Sequence, residues 1–213
     1  MKNIIKTATT SMLILCGSAA VSAPQGSAII AFSANNDGLS AQAASDLDCT
    51  ILRAGDIQFH QGPMQVGAPK SFTVLECDAP ILSDPAARSL LSDTLSVFEG
   101  DLAKLTAIDK VEGRQYILKL STYNNLDLDG RDAELISLDT EGRSREGRWE
   151  TEFFLNVDDA MGAPTLDEVV VLSYDSAEVA DKFRNDNQDL LEMVGRFNHK
   201  HLIDFVYLGG AAK

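Results

Sequence analysis

The chain is poor in the residues that carry most enzyme chemistry. It has three histidines, three cysteines and one tryptophan in 213 residues. No Cys-x-x-Cys pair occurs, no glycine-rich phosphate loop follows a strand, and no serine sits in a Gly-x-Ser-x-Gly turn. These absences argue against a dithiol redox centre, a nucleotide-binding α/β domain and an α/β-hydrolase. Basic residues are also scarce, 18 Lys+Arg against 32 Asp+Glu, for a net charge of −14. So acidic a chain repels nucleic acid and anionic lipid surfaces.

Long apolar runs are missing as well, except near the amino terminus. There Lys2 and Lys6 precede Met12-Leu13-Ile14-Leu15-Cys16 and then Gly17-Ser18-Ala19-Ala20-Val21-Ser22-Ala23. A basic end, a short apolar core and small residues make the pattern of a secretory signal. The expectation is therefore export to a periplasmic or secreted location, with residues 1–23 a signal peptide cut after Ala20 or Ala23. The apolar run is well short of the roughly 20 residues of a spanning helix, so no transmembrane segment is expected after signal removal. Losing residues 1–23 removes two lysines and no acid, which takes the net charge to about −16.

Cys16 would leave with that segment, and Cys49 and Cys77 remain. An even pair in an oxidising compartment, each in or beside a short β-like run, predicts a disulfide. In the loop-entropy picture such a bridge contributes on the order of 3.5 kcal/mol.

What is present suggests one α+β domain: an antiparallel sheet of about five to seven strands with two main helices packed on one face, over residues 49–213. Residues 24–48, rich in Ala, Ser, Asn and Gly, read as a loosely ordered lead-in with one strand at 28–32. Residues 71–77 alternate as a strand. Ser83, Asp84 and Pro85 look like a helix start. Leu91, Leu95, Phe98, Leu102 and Leu105 then recur at helical spacing and predict a long apolar stripe facing the sheet. Residues 113–123 alternate, with Tyr116, Leu118 and Leu120 opposite Lys119 and Ser121. Asp129-Gly130 predicts a hairpin into a strand at 133–139, and a second turn falls at 141–147. The next strand, 148–156, puts Trp149, Thr151, Phe153 and Leu155 on one face, with Glu150 and Glu152 on the other. Residues 169–174 are β-branched and read as buried. A helix starts at Asp175 with Glu178 as its capping-box partner. It carries Val179, Phe183, Leu190, Leu191, Val194 and Phe197 inward, and 202–208 make a last strand. No internal repeat is visible.

Three places could carry chemistry. Asn125, Asp127, Asp129 and Gly130 copy the opening of a calcium loop, with Asp132 nearby, but Ile136 stands where the bidentate carboxylate belongs; a solvated acidic turn is the competing reading. His199 and His201 have metal-like spacing only on a strand; at the end of a helix they would instead complement its negative pole. Arg143, Arg145 and Trp149 concentrate at the expected second turn, and both residue types are favoured at interface anchors.

With no cofactor motif and at most a divalent cation in view, the composition points to an exported, non-catalytic binding or accessory module. Its partner would be a protein or small molecule of the envelope. The alternatives are a small carboxylate- or metal-dependent hydrolase and a calcium-dependent interaction protein.

Overall fold

A computed structural model describes residues 27–105 and 113–213. The expected signal peptide lies outside the described residues. In chain order the elements are β1 (Ser27–Ser33), α1 (Ala41–Asp46), β2 (Cys49–Asp56), β3 (Phe59–Gln61), β4 (Ser71–Cys77), α2 (Pro85–Leu90) and β5 (Thr94–Leu105), then β6 (Gln115–Tyr123), α3 (Leu128–Arg143), β7 (Glu150–Met161), β8 (Glu168–Tyr174), α4 (Ala177–Asp186), α5 (Gln188–His201) and β9 (Leu202–Ala211). The class is α+β, as expected. Among the described residues, however, the sheet has nine strands rather than five to seven, and there are five helices rather than two main ones; the strand order is β2-β4-β1-β5-β7-β8-β6-β9-β3, and every pairing is antiparallel. No helix among the described residues is long and apolar enough to cross a membrane.

This order contains one unit used twice. β1-α1-β2-β4-α2-β5 forms a four-stranded block in the order β2-β4-β1-β5; β6-α3-β7-β8-α4/α5-β9 forms another, in the matching order β7-β8-β6-β9. The registers match too. β1 meets β4 over seven pairs from Ser27↔Cys77 to Ser33↔Ser71, and β6 meets β8 over seven from Gln115↔Tyr174 to Ser121↔Glu168. The repeat is one of geometry and is not visible in the residues.

The units join edge to edge through β5 and β7. At the other edge the chain of β2 changes partner. Ile57 N–H still donates to Lys70, but Gln58 N–H donates to Gly209 of β9, β3 continues the pairing with β9, and Gly55 bridges to Ala212. The sheet thereby returns on itself as a barrel. Alternate residues line the inside: Ala28, Ile30 and Phe32 of β1, Phe72 and Val74 of β4, Phe98 and Leu102 of β5, Tyr116, Leu118 and Leu120 of β6, with matching residues of β7, β8 and β9. The helices cover the outside.

Cys49 and Cys77 are directly opposed on β2 and β4 and form the expected disulfide, with Cα atoms 4.1 Å apart. The expected strand at 28–32 is β1, buried along its length between β4 and β5.

Three expectations are corrected. The stripe of Leu91, Leu95, Phe98, Leu102 and Leu105 is not a helix. α2 stops at Leu90, and the stripe runs into β5, whose inner face buries Phe98 and Leu102 and whose outer face buries Val97. A strand covered on both faces loses its alternation, and bulges after Glu99 and Leu102 shift the phase further. Second, Asp129-Gly130 is no hairpin, and residues 133–139 are no strand. Asp127 accepts the Gly130 N–H at 3.0 Å as an N-cap, and α3 runs from Leu128 through Arg143. Third, the last helical region is two helices broken at Asn187, and Ser176 rather than Asp175 caps the first by accepting from Val179 N–H.

Candidate functional site

The expected site residues are dispersed. Asp127 is committed to capping α3, Asp129 sits in its first turn, and Asp132 pairs with Arg131 at 2.8 Å, so they do not converge as a calcium loop. His199 is exposed on the last turn of α5, while His201 is buried against the Phe197 ring with Nε2 3.2 Å from Glu134. On a helix the two histidines point apart. Among the described residues no group of three or more His, Cys, Asp or Glu is placed to hold a metal ion.

Arg143 and Arg145 lie at and just beyond the end of α3, not on a hairpin tip. Arg143 pairs with Asp139 at 2.6 Å, and Arg145 ties α3 to α5 through Asp189 at 2.7 Å. Trp149 packs edge-on against Phe183, ring centroids 5.4 Å apart. These contacts give both arginines ion-pair partners and set Trp149 against the core of the second unit. An open groove of about 400 Å³ between α1 and β2 is lined by Ser45, Asp48, Thr50 and Asp78 and reaches Cys49.

Three buried carboxylates organise the polar interior. Glu99 accepts Ile81 N–H at 2.6 Å, Leu82 N–H at 3.0 Å and Ser27 Oγ at 3.2 Å, and so holds the loop before α2. Glu152 bridges the two units inside one end of the barrel: Arg53 Nε lies 2.6 Å from one oxygen and Arg114 2.9 Å from the other. Burial, and then the neighbouring Glu152 charge, push the Tyr116 phenol up to about 12.

The third cluster differs in chemistry. On the outer face of the second unit, Glu168 Oε1 receives Lys119 Nζ at 2.8 Å, Ser121 Oγ at 2.7 Å and Tyr123 OH at 2.8 Å. β6 places Lys119, Ser121 and Tyr123 at every second residue, and β8 brings Glu168 opposite Ser121. Lys119 Nζ also lies 5.5 Å from the Tyr123 ring centre and 5.8 Å from that of Phe197 on α5. Burial opposes charge on Lys119 and Glu168, but their mutual attraction and the added hydrogen bonds prevail; the ammonium is pushed up and the carboxyl down, so both are ionised. Burial and the Glu168 charge raise the Tyr123 phenol, which therefore stays a proton donor.

The duplicated fold supplies an internal comparison. Matching the two seven-pair ladders sets Ala31 of the first unit at the place of Lys119, and Ser71 at the place of Glu168. Likewise Val97, paired with Ala31, stands where Tyr207 pairs with Lys119. The first unit fills this layer with Ile29, Ala31, Leu75 and Val97. The architecture does not require the ion pair, since one of its two copies is built without it. The residues alone set Lys119 and Ser121 on a polar face. The only signal that could have raised them further was the alignment of the two units.

No protein-family model and no curated protein matches the chain. Among solved structures it is similar to an anthrone oxidase-like protein at TM-score 0.52 and 10% identity, over 88% of this chain and 90% of that one. A second similar structure, from Lactobacillus acidophilus and assigned provisionally to the monooxygenases, gives a TM-score of 0.46 at 8% identity, covering 88% of this chain and 93% of that one. The first likeness establishes shared architecture. It overturns the expectation of a non-catalytic module, which rested on missing sequence motifs, since this architecture also occurs in a protein described as anthrone oxidase-like.

Proposed function

We propose that the protein is a small-molecule enzyme of the oxidase type, with its reaction centre at Lys119, Ser121, Tyr123 and Glu168. The observation that carries the reading is the asymmetry of the duplication. Burying a lysine and a glutamate costs several kcal/mol per ion before their attraction repays it, yet the chain places them in only one of two equivalent layers. Their chemistry suits a substrate whose oxygen becomes an anion. The Lys119 ammonium, with N–H donors beyond the one given to Glu168, can donate toward an oxyanion in a water-poor site, where such donors act most strongly. Glu168 is the adjacent carboxylate for proton transfer, held in place by the Tyr123 hydroxyl.

The likeness to an anthrone oxidase-like protein makes anthrone the natural first probe. In that reaction the ring methylene becomes a carbonyl: one molecule of dioxygen is consumed, two hydrogens leave the carbon, and one water forms beside the quinone. Oxygen uptake and quinone absorbance would be followed together. Wild type is expected to turn over anthrone or a related enolisable aromatic ketone, and Glu168→Gln or Tyr123→Phe to slow it by about 10²-fold or more while near-ultraviolet circular dichroism stays native. If folded variants match wild type, or wild type neither binds nor oxidises such ketones, the reading fails.

A further inference from the structure

We infer that α3 is a movable cover over the Lys119–Glu168 centre, held shut through Glu134; the importance of that motion to catalysis rests on the function proposed above, but the motion itself does not. α3 is bound unlike the other long helix of its unit. Of its sixteen residues only Arg131 and Gly142 are buried, whereas α5 buries Leu190, Phe197, Asn198 and His201. Ile136 in its middle is 62% exposed. A helix that is polar nearly all round draws little stability from the hydrophobic effect, and its position depends on a few discrete contacts.

Those contacts fall over the centre. The Arg131 guanidinium lies 4.7 Å from the centre of the Tyr123 ring, and the Tyr123 hydroxyl is the one that donates to Glu168. Leu135 and Leu138 pack with Tyr123, Phe197 and Leu202. Midway, Glu134 takes a hydrogen bond from Lys200 and lies 3.2 Å from His201 Nε2, both on the last turn of α5. The Lys200 bond above all, with His201 adding to it, holds the Glu134 carboxyl below its ordinary range. At the far end Gly142 sits against the Trp149 ring, where an added Cβ would meet ring carbons at 3.1 Å, and Arg145 is tied to Asp189. The carboxyl end of α3 is thus anchored to the body. Its amino half, over Tyr123, is held by Arg131, Leu135 and Leu138 against the Tyr123 cluster and, across to α5, by Glu134. Swinging that half outward would uncover the Tyr123 ring and open a route to Lys119 while the barrel stays intact.

The test measures opening without any substrate. Acetic anhydride labelling of the folded protein, read by peptide mass spectrometry, reports the exposure of Lys119, with exposed Lys70 of the first unit as internal standard. Glu134→Ala should raise the Lys119 labelling rate about two- to fivefold relative to Lys70, the effect expected for losing a half-exposed ion pair. Amides in the first half of α3 should exchange faster by a similar factor, while those of α5 and β6 keep their wild-type protection. Unchanged labelling of Lys119 would overturn the proposal. So would labelling that rises only in step with exchange in β6 and α5, because opening would then be global unfolding. A confirmed cover with Glu168→Gln still fully active would leave the cover standing and remove the reaction centre.

Discussion

Glu152 shows how one residue can defeat a pattern that is otherwise right. Alternation sets Glu150 and Glu152 on the same outer face, and Glu150 is indeed exposed. A bulge between Thr151 and Phe153 turns Glu152 inward, where it is fully buried between Arg53 and Arg114. Removing the shared partner of half-buried Arg53 and buried Arg114 should be expensive: Glu152→Ala is expected to destabilise by about 3–5 kcal/mol in chemical denaturation, and a loss under about 1 kcal/mol would mean that water already reaches the cluster. The buried phenols give a second residue-scale expectation. Burial raises Tyr116 and Tyr174 to about 12, and Tyr123 is raised as well. A raised folded value means that their contribution to stability is complete below the ordinary phenol value of about 10, and is lost as pH climbs through the folded one. Absorbance at 295 nm should therefore show these three ionising only together with alkaline unfolding. Ionisation of all of them near pH 10 in folded protein would contradict their burial.

At the scale of elements, legibility followed how each element is covered. Strands whose residue types alternate were readable even where both faces are covered: β4 sets Phe72 and Val74 against Thr73, β6 sets Tyr116, Leu118 and Leu120 against Lys119 and Ser121, and the helical region ending at His201 shows its apolar face and basic last turn. β5 was not readable because both faces carry apolar residues, Val97 toward α2 and Phe98 into the barrel, and two bulges break its phase, so the leucines fell by chance into helical spacing. The β-forming run of Thr94, Val97 and Phe98, with Gly100 inside it, was the weaker but truer signal. α3 escaped for the opposite reason. It covers little, so it carries no apolar period, and an Asp-Gly pair suggested a turn where Asp127 was starting a helix. The elements that form and cover the candidate centre are thus the ones hardest to read, since β8 contributes Glu168 at its first residue and α3 shows no stripe. Lys119 and Ser121 were visible as an odd-numbered face of β6, which Tyr123 continues in the structure. Nothing in the residues alone said that this face lies under α5 and α3 rather than in water.

For the molecule as a whole, the duplication leaves each unit a cluster of its own under its outer helices, but the barrel core is shared between the units. The barrel interior takes Phe32, Phe72 and Phe98 from the first unit and Leu118, Phe153 and Val171 from the second, in one cluster. Phe72 meets Tyr116 across the units edge-on, with ring centroids 5.5 Å apart, and Arg53 reaches Glu152 across the same seam. Opening one unit would expose the inner face of the other, so the two should melt together. The disulfide makes this testable because it lies wholly within the first unit, joining β2 to β4 across a sequence separation of 28 residues. If the units were independent, Cys49→Ala/Cys77→Ala would lower the melting of the first and leave a second transition unmoved. With a shared interior, the double variant should lose on the order of 3.5 kcal/mol and still show one calorimetric transition, shifted down as a whole, with calorimetric and van't Hoff enthalpies equal. Hydrogen exchange reads the same coupling residue by residue: the most protected amides of β6 and β8 should weaken as much as those of β1 and β4. Protection lost in β1 and β4 alone would show that the second unit, with its buried Lys119 and Glu168, stands without the first.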